Sequence, residues 1–440
     1  MTDRNQFFGK RMTRRKAVSN AVAAGVVAGV GLAAGVGGYV LGSSSSPTRV
    51  VTETTTTTRT TTVAQQPQPP VKAGYIYVGP RGDYGWSHSH DQGRLWADRQ
   101  MPTASSVILE SVPEAQVTGA MQTLINQGVN LIIGTSFGYM DAMAELAEKN
   151  PNVYFVHING FRAGVLGNAP QNMSVADVNT YQIYYLEGLA AGAVTNTGSV
   201  GIIGSFPAPV ITRLVNAFAL GARYAYKKRT GKEIKVNLVW LLSWFDPGKT
   251  RVAATSLIES VNADVLSYAE DSPTTLQVAE EYTTTRGKRV WSFSHYSDMT
   301  SYGRNAHLTG HIVNWGTVYL DFYRMVATKT WQSVDIWAKL GDYLPSRAAL
   351  PVDQSTLGKP EGAVYMAPLH PAVPSDWVNA IKIRYEQMKE SIFEPFSSEA
   401  NLDEPIRDSS GQVRVKAGER ATRQQIMNMD WLVDIIVSAQ

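Results

Sequence analysis

From Lys72 onward the apolar positions follow two alternating periods. Short apolar runs fit buried strands, and the stretches between them repeat apolar residues every three or four positions, as one face of a helix does. "AGYIYV" (73–78), "SVILE" (106–110), "LIIG" (131–134) and "VYFVHI" (153–158) read as strands. Residues 88–99, 113–127 and 140–149 read as helices, with Gly128 closing the second and Asn150-Pro151 stopping the third. The alternation then restarts. A helix over 180–195 carries Gly188, Ala190, Ala191 and Gly192, small residues suited to close packing. It is followed by "SVGIIG" (199–204), a helix over 209–228 opened by Pro209, and "VNLVWLL" (236–242). A helix from Pro247 to Ser260 has Asp246 as its cap, and "ADVLSYA" (263–269), a helix over 274–282 and "RVWSF" (289–293) continue the series. Such alternation predicts βαβ units and parallel sheets. Two series predict an α/β protein of two lobes, each a mostly parallel sheet flanked by helices. The first lobe spans roughly 72–195 and the second roughly 196–310, with the remaining C-terminal segment crossing the hinge and closing the lobes. Ligands of open α/β sheets sit beyond the carboxyl ends of the strands. Between two lobes that position becomes a cleft closed by a hinge.

The N-terminal residues have a different pattern. Arg4, Lys10, Arg11, Arg14, Arg15 and Lys16 precede a charge-free run from Ala17 to Thr48. Within it, "AVAAGVVAGVGLAAGVGGYVLG" is about long enough to cross a bilayer, and the basic flank places the N-terminus on the cytoplasmic side. Residues 1–42 therefore read first as an uncleaved signal-anchor and second as a cleaved signal peptide; Arg14-Arg15 resembles a twin-arginine signal. Val40-Leu41-Gly42-Ser43 resembles a lipoprotein cleavage box with serine in place of the lipidated cysteine. Residues 43–71 are Thr-, Gln- and Pro-rich and cannot build a core, so they read as a disordered linker. The folded domain is expected on the extracytoplasmic face, held by the anchor or exported by the signal peptide.

Composition narrows the chemistry. The chain has 440 residues and no cysteine, which removes disulfides, thiolate nucleophiles and Cys-ligated metal sites. A net charge of +3, with much of the basic excess before residue 20, gives no footprint for nucleic acid. His88 and His90 are two apart and point different ways on a helix, so no metal is expected. "GPRGDYG" lacks the spacing of a phosphate loop, and "SFGYM" is not a nucleophile elbow. No enzyme activity and no cofactor are expected.

The loops after the strands supply the candidates: Asp83 and Trp86, then Ser136 and Phe137, then Phe206, Trp244, Asp271, Tyr296 and Trp315. This set is aromatic, with a few acids and hydroxyls and little positive charge. It suits a flat, neutral molecule with polar edges, because aromatic faces stack on a ring at roughly 1–3 kcal/mol per base. Asp271 can accept from an exocyclic amine or a sugar hydroxyl. Structural alternatives stay open: Trp86 as a plug at the lobe edge, Trp244 as core, Phe206 as a turn stiffener, Trp315 as a helix anchor.

The chain also resembles the basic membrane protein group of substrate-binding proteins, whose better-studied relatives serve ABC importers of purine nucleosides and bases. The matching phrases include "GYIYVGPRGDYGWSHSHDQGR", "LIIGTSFGYMDAMAELAEKNPNVYFVHING", "LLSWFDPGKT", "AEDSPTTLQVAEE", "SDMTSYG" and "HIVNWGTVY". "DSSGQVRVKAGE", a hairpin turning at Ser410-Gly411, and "MNMDWLVD" extend the likeness to the C-terminus. The resemblance implies a type I periplasmic-binding-protein fold with hinge closure and no chemistry on the ligand. It places an aromatic sandwich on Trp86 with Trp244 or Phe206, and polar contacts near Ser136, Asp271 and the "SHYSD" loop. "VHINGF" (156–161) lacks the acid that nucleoside-binding members carry there, which favours a bare base such as adenine. The function expected is capture of a purine base or nucleoside in the inter-lobe cleft by a monomer, and delivery to a membrane permease. The alternatives are a nucleoside-hydrolysing enzyme and a ligand-sensing ectodomain on the same fold.

Overall fold

The computed structural model describes residues 70–160, 167–341 and 363–438. The anchor or signal expected over 1–42, and all but the end of the linker, lie outside these residues. Among the described residues no helix is long and apolar enough to cross a membrane.

The first half runs β1 (Val71–Tyr77), α1 (Trp86–Gln100), β2 (Ala104–Leu109), α2 (Val117–Asn126), β3 (Leu131–Thr135), α3 (Met140–Lys149), β4 (Tyr154–Ile158) and β5 (Met173–Val178). Next come α4 (Thr180–Val194), β6 (Ser199–Gly204), α5 (Pro209–Thr230), β7 (Lys235–Trp240), α6 (Pro247–Ser260), β8 (Leu266–Ala269), α7 (Thr274–Thr284), β9 (Ser292–Ser294) and β10 (His307–Val313). The chain continues through α8 (Trp315–Ala327), β11 (Asp335–Ala338), β12 (Val364–Met366), α9 (Ser375–Lys389), β13 (Ile406–Arg407), β14 (Val413–Val415), α10 (Arg423–Met427) and β15 (Ile436–Ser438).

Two parallel sheets result. The first has the order β11-β5-β4-β3-β1-β2, and the second β15-β7-β6-β8. A bridge between Val265 and Trp291 joins the second sheet to β9, whose neighbours are β10 and then the antiparallel β12. Each lobe is thus an open parallel sheet with helices packed on it, as the alternation requires. The expected hairpin forms as β13 and β14, with Gly411 at φ +84° in its turn.

Three crossings link the lobes. The first follows β5. Helix α4 packs along α5 and against β10. The close approach needs glycine: a Cβ on Gly188 would lie 2.2 Å from the Phe218 carbonyl oxygen, and one on Gly221 2.1 Å from that of Tyr185. The second crossing follows β10 and returns the chain to the first lobe, where α8 lies on α1. The third follows β11. Beside these crossings the buried Asp177 of β5 meets Arg213 of α5 at 2.5 Å. The pair is costly to bury and costlier to break.

Candidate functional site

The turn between β1 and α1 is built around a buried carboxylate. Asp83 Oδ1 accepts the backbone N–H groups of Gly85 and His88, and Oδ2 that of Ser87, each at 2.9 Å. These are donors that the start of a helix leaves free. Asp83 therefore shapes the lip of the first lobe and does not line the space beyond it. Tyr84 takes φ +62° in this turn, and Trp86 opens α1 directly after it.

Trp86 is fixed on several sides. Its indole N–H donates to the Thr135 carbonyl oxygen at 2.5 Å, at the end of β3. The His90 ring meets it edge-on at 4.2 Å, and the Trp315 ring at 5.6 Å. Trp315 in turn stacks on His90 at 4.2 Å. It is fully buried behind Trp86, so its place is support of the wall. Burial holds the His90 imidazole well below its usual pKa, so this support is uncharged.

The second lobe presents Trp244, Asp271, His295 and Tyr296 from the ends of β7, β8 and β9. The Asp271 N–H donates to the Trp244 carbonyl oxygen at 2.9 Å, which ties two of these loops together. Phe206 is not among the residues lining the cavity; its ring lies 4.9 Å from that of Trp244. Tyr296 has φ +62° and is buried.

Between the lobes lies a cavity with about 380 Å³ of space outside the protein atoms, part of it open to solvent. Six residues singled out in the sequence line it: Trp86, Ser136, Phe137, Trp244, Asp271 and Tyr296. Asn159, Ser205 and His295 supply further polar groups, and Val78, Val210, Ile211 and Ala269 complete the wall. Asn159 follows β4 directly and Ser205 follows β6, so the strand-end rule reaches both, although neither has the aromatic or acidic side chain that draws notice. The Ser136 hydroxyl is already committed to Glu114 at 2.6 Å. The Ser205 hydroxyl is buried and has no hydrogen-bond partner among the described residues.

The lobes touch at the mouth of this cavity. The Ser297 hydroxyl donates to the Tyr84 carbonyl oxygen. The rings of Tyr84 and Tyr302 meet edge-on at 5.0 Å, and those of Trp86 and Tyr296 at 4.9 Å. A Cβ on Gly85 would lie 3.0 Å from the Asp271 Cα, tighter than side chains ordinarily approach, so any larger residue would crowd the lip.

Charge in the site is one-sided. Among the described residues no Lys or Arg lines the cavity. Asp83, Glu270 and Asp271 are all buried. Burial raises Asp83 to about 6 against the help of its N–H donors, and burial raises Glu270 to about 8. Burial, reinforced by the charges of Asp83 and Glu270, also lifts Asp271 well above the usual carboxylate range. Burial keeps His295 neutral, with His311 adding to the effect. The folded state therefore holds protons that the unfolded chain releases near pH 4, and each acid's contribution is complete below that pH and lost as pH rises through the folded value. Above about pH 7, where the buried neutral histidines are uncharged in the unfolded chain as well, thermal melting up to about pH 9 is expected to show a falling midpoint. A flat or rising midpoint would contradict the burial of these acids.

The family model for ABC transporter substrate-binding proteins of the PnrA-like type matches residues 70–343. A purine-binding protein of Brucella abortus is 32% identical over 365 residues, covering 82% of this chain and 92% of that protein. A putative ABC transporter glucose-binding protein of Haloferax volcanii is 30% identical over 275 residues, covering 62% of this chain and 66% of that protein. A solved ABC transporter solute-binding protein of Aeropyrum pernix superposes with a TM-score of 0.63 at 12% identity, over 74% of this chain and 93% of that one, which is a likeness of fold. With the fold, the cleft and the sequence in agreement, the chain belongs to the PnrA-like family of ABC transporter substrate-binding proteins.

Proposed function

We propose that this protein captures a purine base or nucleoside between its lobes and delivers it unaltered to a membrane permease. The observation that carries the reading is the cavity itself: an indole from each lobe, Trp86 and Trp244, a few polar groups, and no basic side chain among its described lining residues. Such walls accept a flat neutral heterocycle and offer nothing to a phosphate or a carboxylate. The similarity to a purine-binding protein over most of both chains supports the same class of ligand. Closure over the ring gives the permease a surface to read, because only the closed form presents both lips together. In this reading the protein acts as a monomer, tethered or exported through residues 1–42, with 43–71 as a stalk.

A thermal-shift panel of purine bases, nucleosides, hexoses and amino acids tests the proposal, since any ligand of the native state raises the melting temperature. A purine is expected to give the largest rise, and chromatography of the released ligand is expected to show it intact. A rise with glucose and none with any purine would replace the proposal with a sugar-binding role. Free base released from a nucleoside would replace it with hydrolysis.

A further inference from the structure

The polar groups at one side of the cavity decide which edge of a ring fits there. The Tyr184 hydroxyl has a single proton, which it donates to the Tyr268 carbonyl oxygen at 2.6 Å. The same hydroxyl oxygen lies 2.9 Å from His295 Nδ1. Toward the imidazole that oxygen can only accept, so the ring proton of His295 sits on Nδ1. His295 Nε2 is then a bare acceptor, 4.0 Å from Asp271 Oδ1, and both residues line the cavity.

Asp271 is 5% exposed. The groups facing it are Asp83 from the lip, Glu270 beside it, His295, and the tyrosines Tyr184 and Tyr296. No lysine or arginine pairs with it among the described residues, and the Trp86 backbone N–H is its one stabilising donor. An ionised carboxylate here would face two other acids and a histidine lone pair in a dry site. Burial and the neighbouring acids push the other way, toward retention of the proton.

We propose that Asp271 enters the closed cleft as a neutral carboxylic acid, and that with the His295 acceptor it selects a 6-aminopurine over a 6-oxopurine. The inference rests on the purine reading above. A neutral acid offers one donor beside one acceptor. The amino group of a 6-aminopurine gives one N–H to the Asp271 carbonyl oxygen and the other to His295 Nε2, while the adjacent ring nitrogen accepts the Asp271 O–H. A 6-oxo group in the same place sets a carbonyl lone pair against His295 Nε2 and leaves two acceptors buried without a proton between them.

Calorimetric titration with adenine, hypoxanthine and N6,N6-dimethyladenine tests this at about pH 6 and about pH 9, with the wild-type protein and Asp271→Asn. Asparagine keeps a donor beside an acceptor but cannot ionise. The wild type is expected to bind adenine at least about tenfold tighter than hypoxanthine or the dimethyl compound at the lower pH. Its adenine affinity is expected to fall by up to about tenfold per pH unit once the acid ionises. The variant is expected to hold adenine within about threefold of the wild type at low pH, with the pH dependence removed. Loss of adenine by about tenfold or more in Asp271→Asn at both pH values, or a wild-type affinity that ignores pH, would overturn the proposal and leave the purine reading standing. Absence of binding by every purine to the wild type would instead overturn the purine reading, and this inference with it.

Discussion

Trp86→Ala is expected to weaken purine binding about a hundredfold. Stacking on an indole contributes roughly 1–3 kcal/mol per base. Trp86 also meets Tyr296 across the mouth of the cleft, and an aromatic pair of that kind adds about 0.5–1.5 kcal/mol. Together these give about 1.5–4.5 kcal/mol, or a loss between roughly tenfold and two-thousandfold. The side chain is nearly buried, so alanine also lowers the melting temperature of the free protein. Trp86→Phe separates the two effects, because phenylalanine keeps the ring and loses the indole N–H that donates to Thr135. Phenylalanine is expected to recover most of the affinity. Calorimetry that finds Trp86→Ala binding a purine as tightly as the wild type would remove the stacking role.

Gly85→Val is expected to cost at least about tenfold in affinity by a different route. A Cβ at this position lies 3.0 Å from the Asp271 Cα and 3.2 Å from its carbonyl carbon, and both are backbone atoms that cannot swing aside. Valine adds two further methyl groups at that contact. The residue belongs to neither lobe's core, so the free protein is expected to stay folded with its lobes held apart. Small-angle scattering checks this directly. With saturating purine the wild type is expected to keep a compact radius of gyration, and the variant a larger one. Equal radii in the two proteins would show that closure does not pass through this contact.

Most of the fold was legible because burial on both faces of a parallel sheet leaves short, continuous apolar runs. Among the strands that escaped notice, β5 shows why. Its sequence "MSVADV" places Ser174 and Asp177 inside a fully buried strand. Asp177 is tolerated there because Arg213 of the other lobe reaches it, and that partner lies 36 residues away. The packing of α4 was illegible for a related reason. Helix α4 follows the first sheet in the chain but packs against α5, through glycine contacts that local periodicity does not report. The return of β11 to the first sheet depends on the same long-range pairing, with Asp335–Ala338 set beside Val175–Val178.

The candidate site was partly legible, because residues just beyond strand ends in an open sheet converge. That rule gathered Trp86, Ser136, Phe137, Trp244, Asp271 and Tyr296 around one cavity. It does not tell a wall from its backing. Asp83 caps the helix behind the lip, Phe206 packs on Trp244, and Trp315 backs His90 and Trp86. The role of His295 was not legible at all, since its acceptor nitrogen follows from a hydroxyl on α4, 111 residues earlier in the chain.

A crystal structure of the protein with adenine bound tests the central claim most directly. The account predicts the ring lying flat against the Trp86 indole, between the two lobes, with its amino edge toward Asp271 and His295. Adenine bound elsewhere on the surface, or a cleft that closes on a sugar and excludes the base, would contradict it.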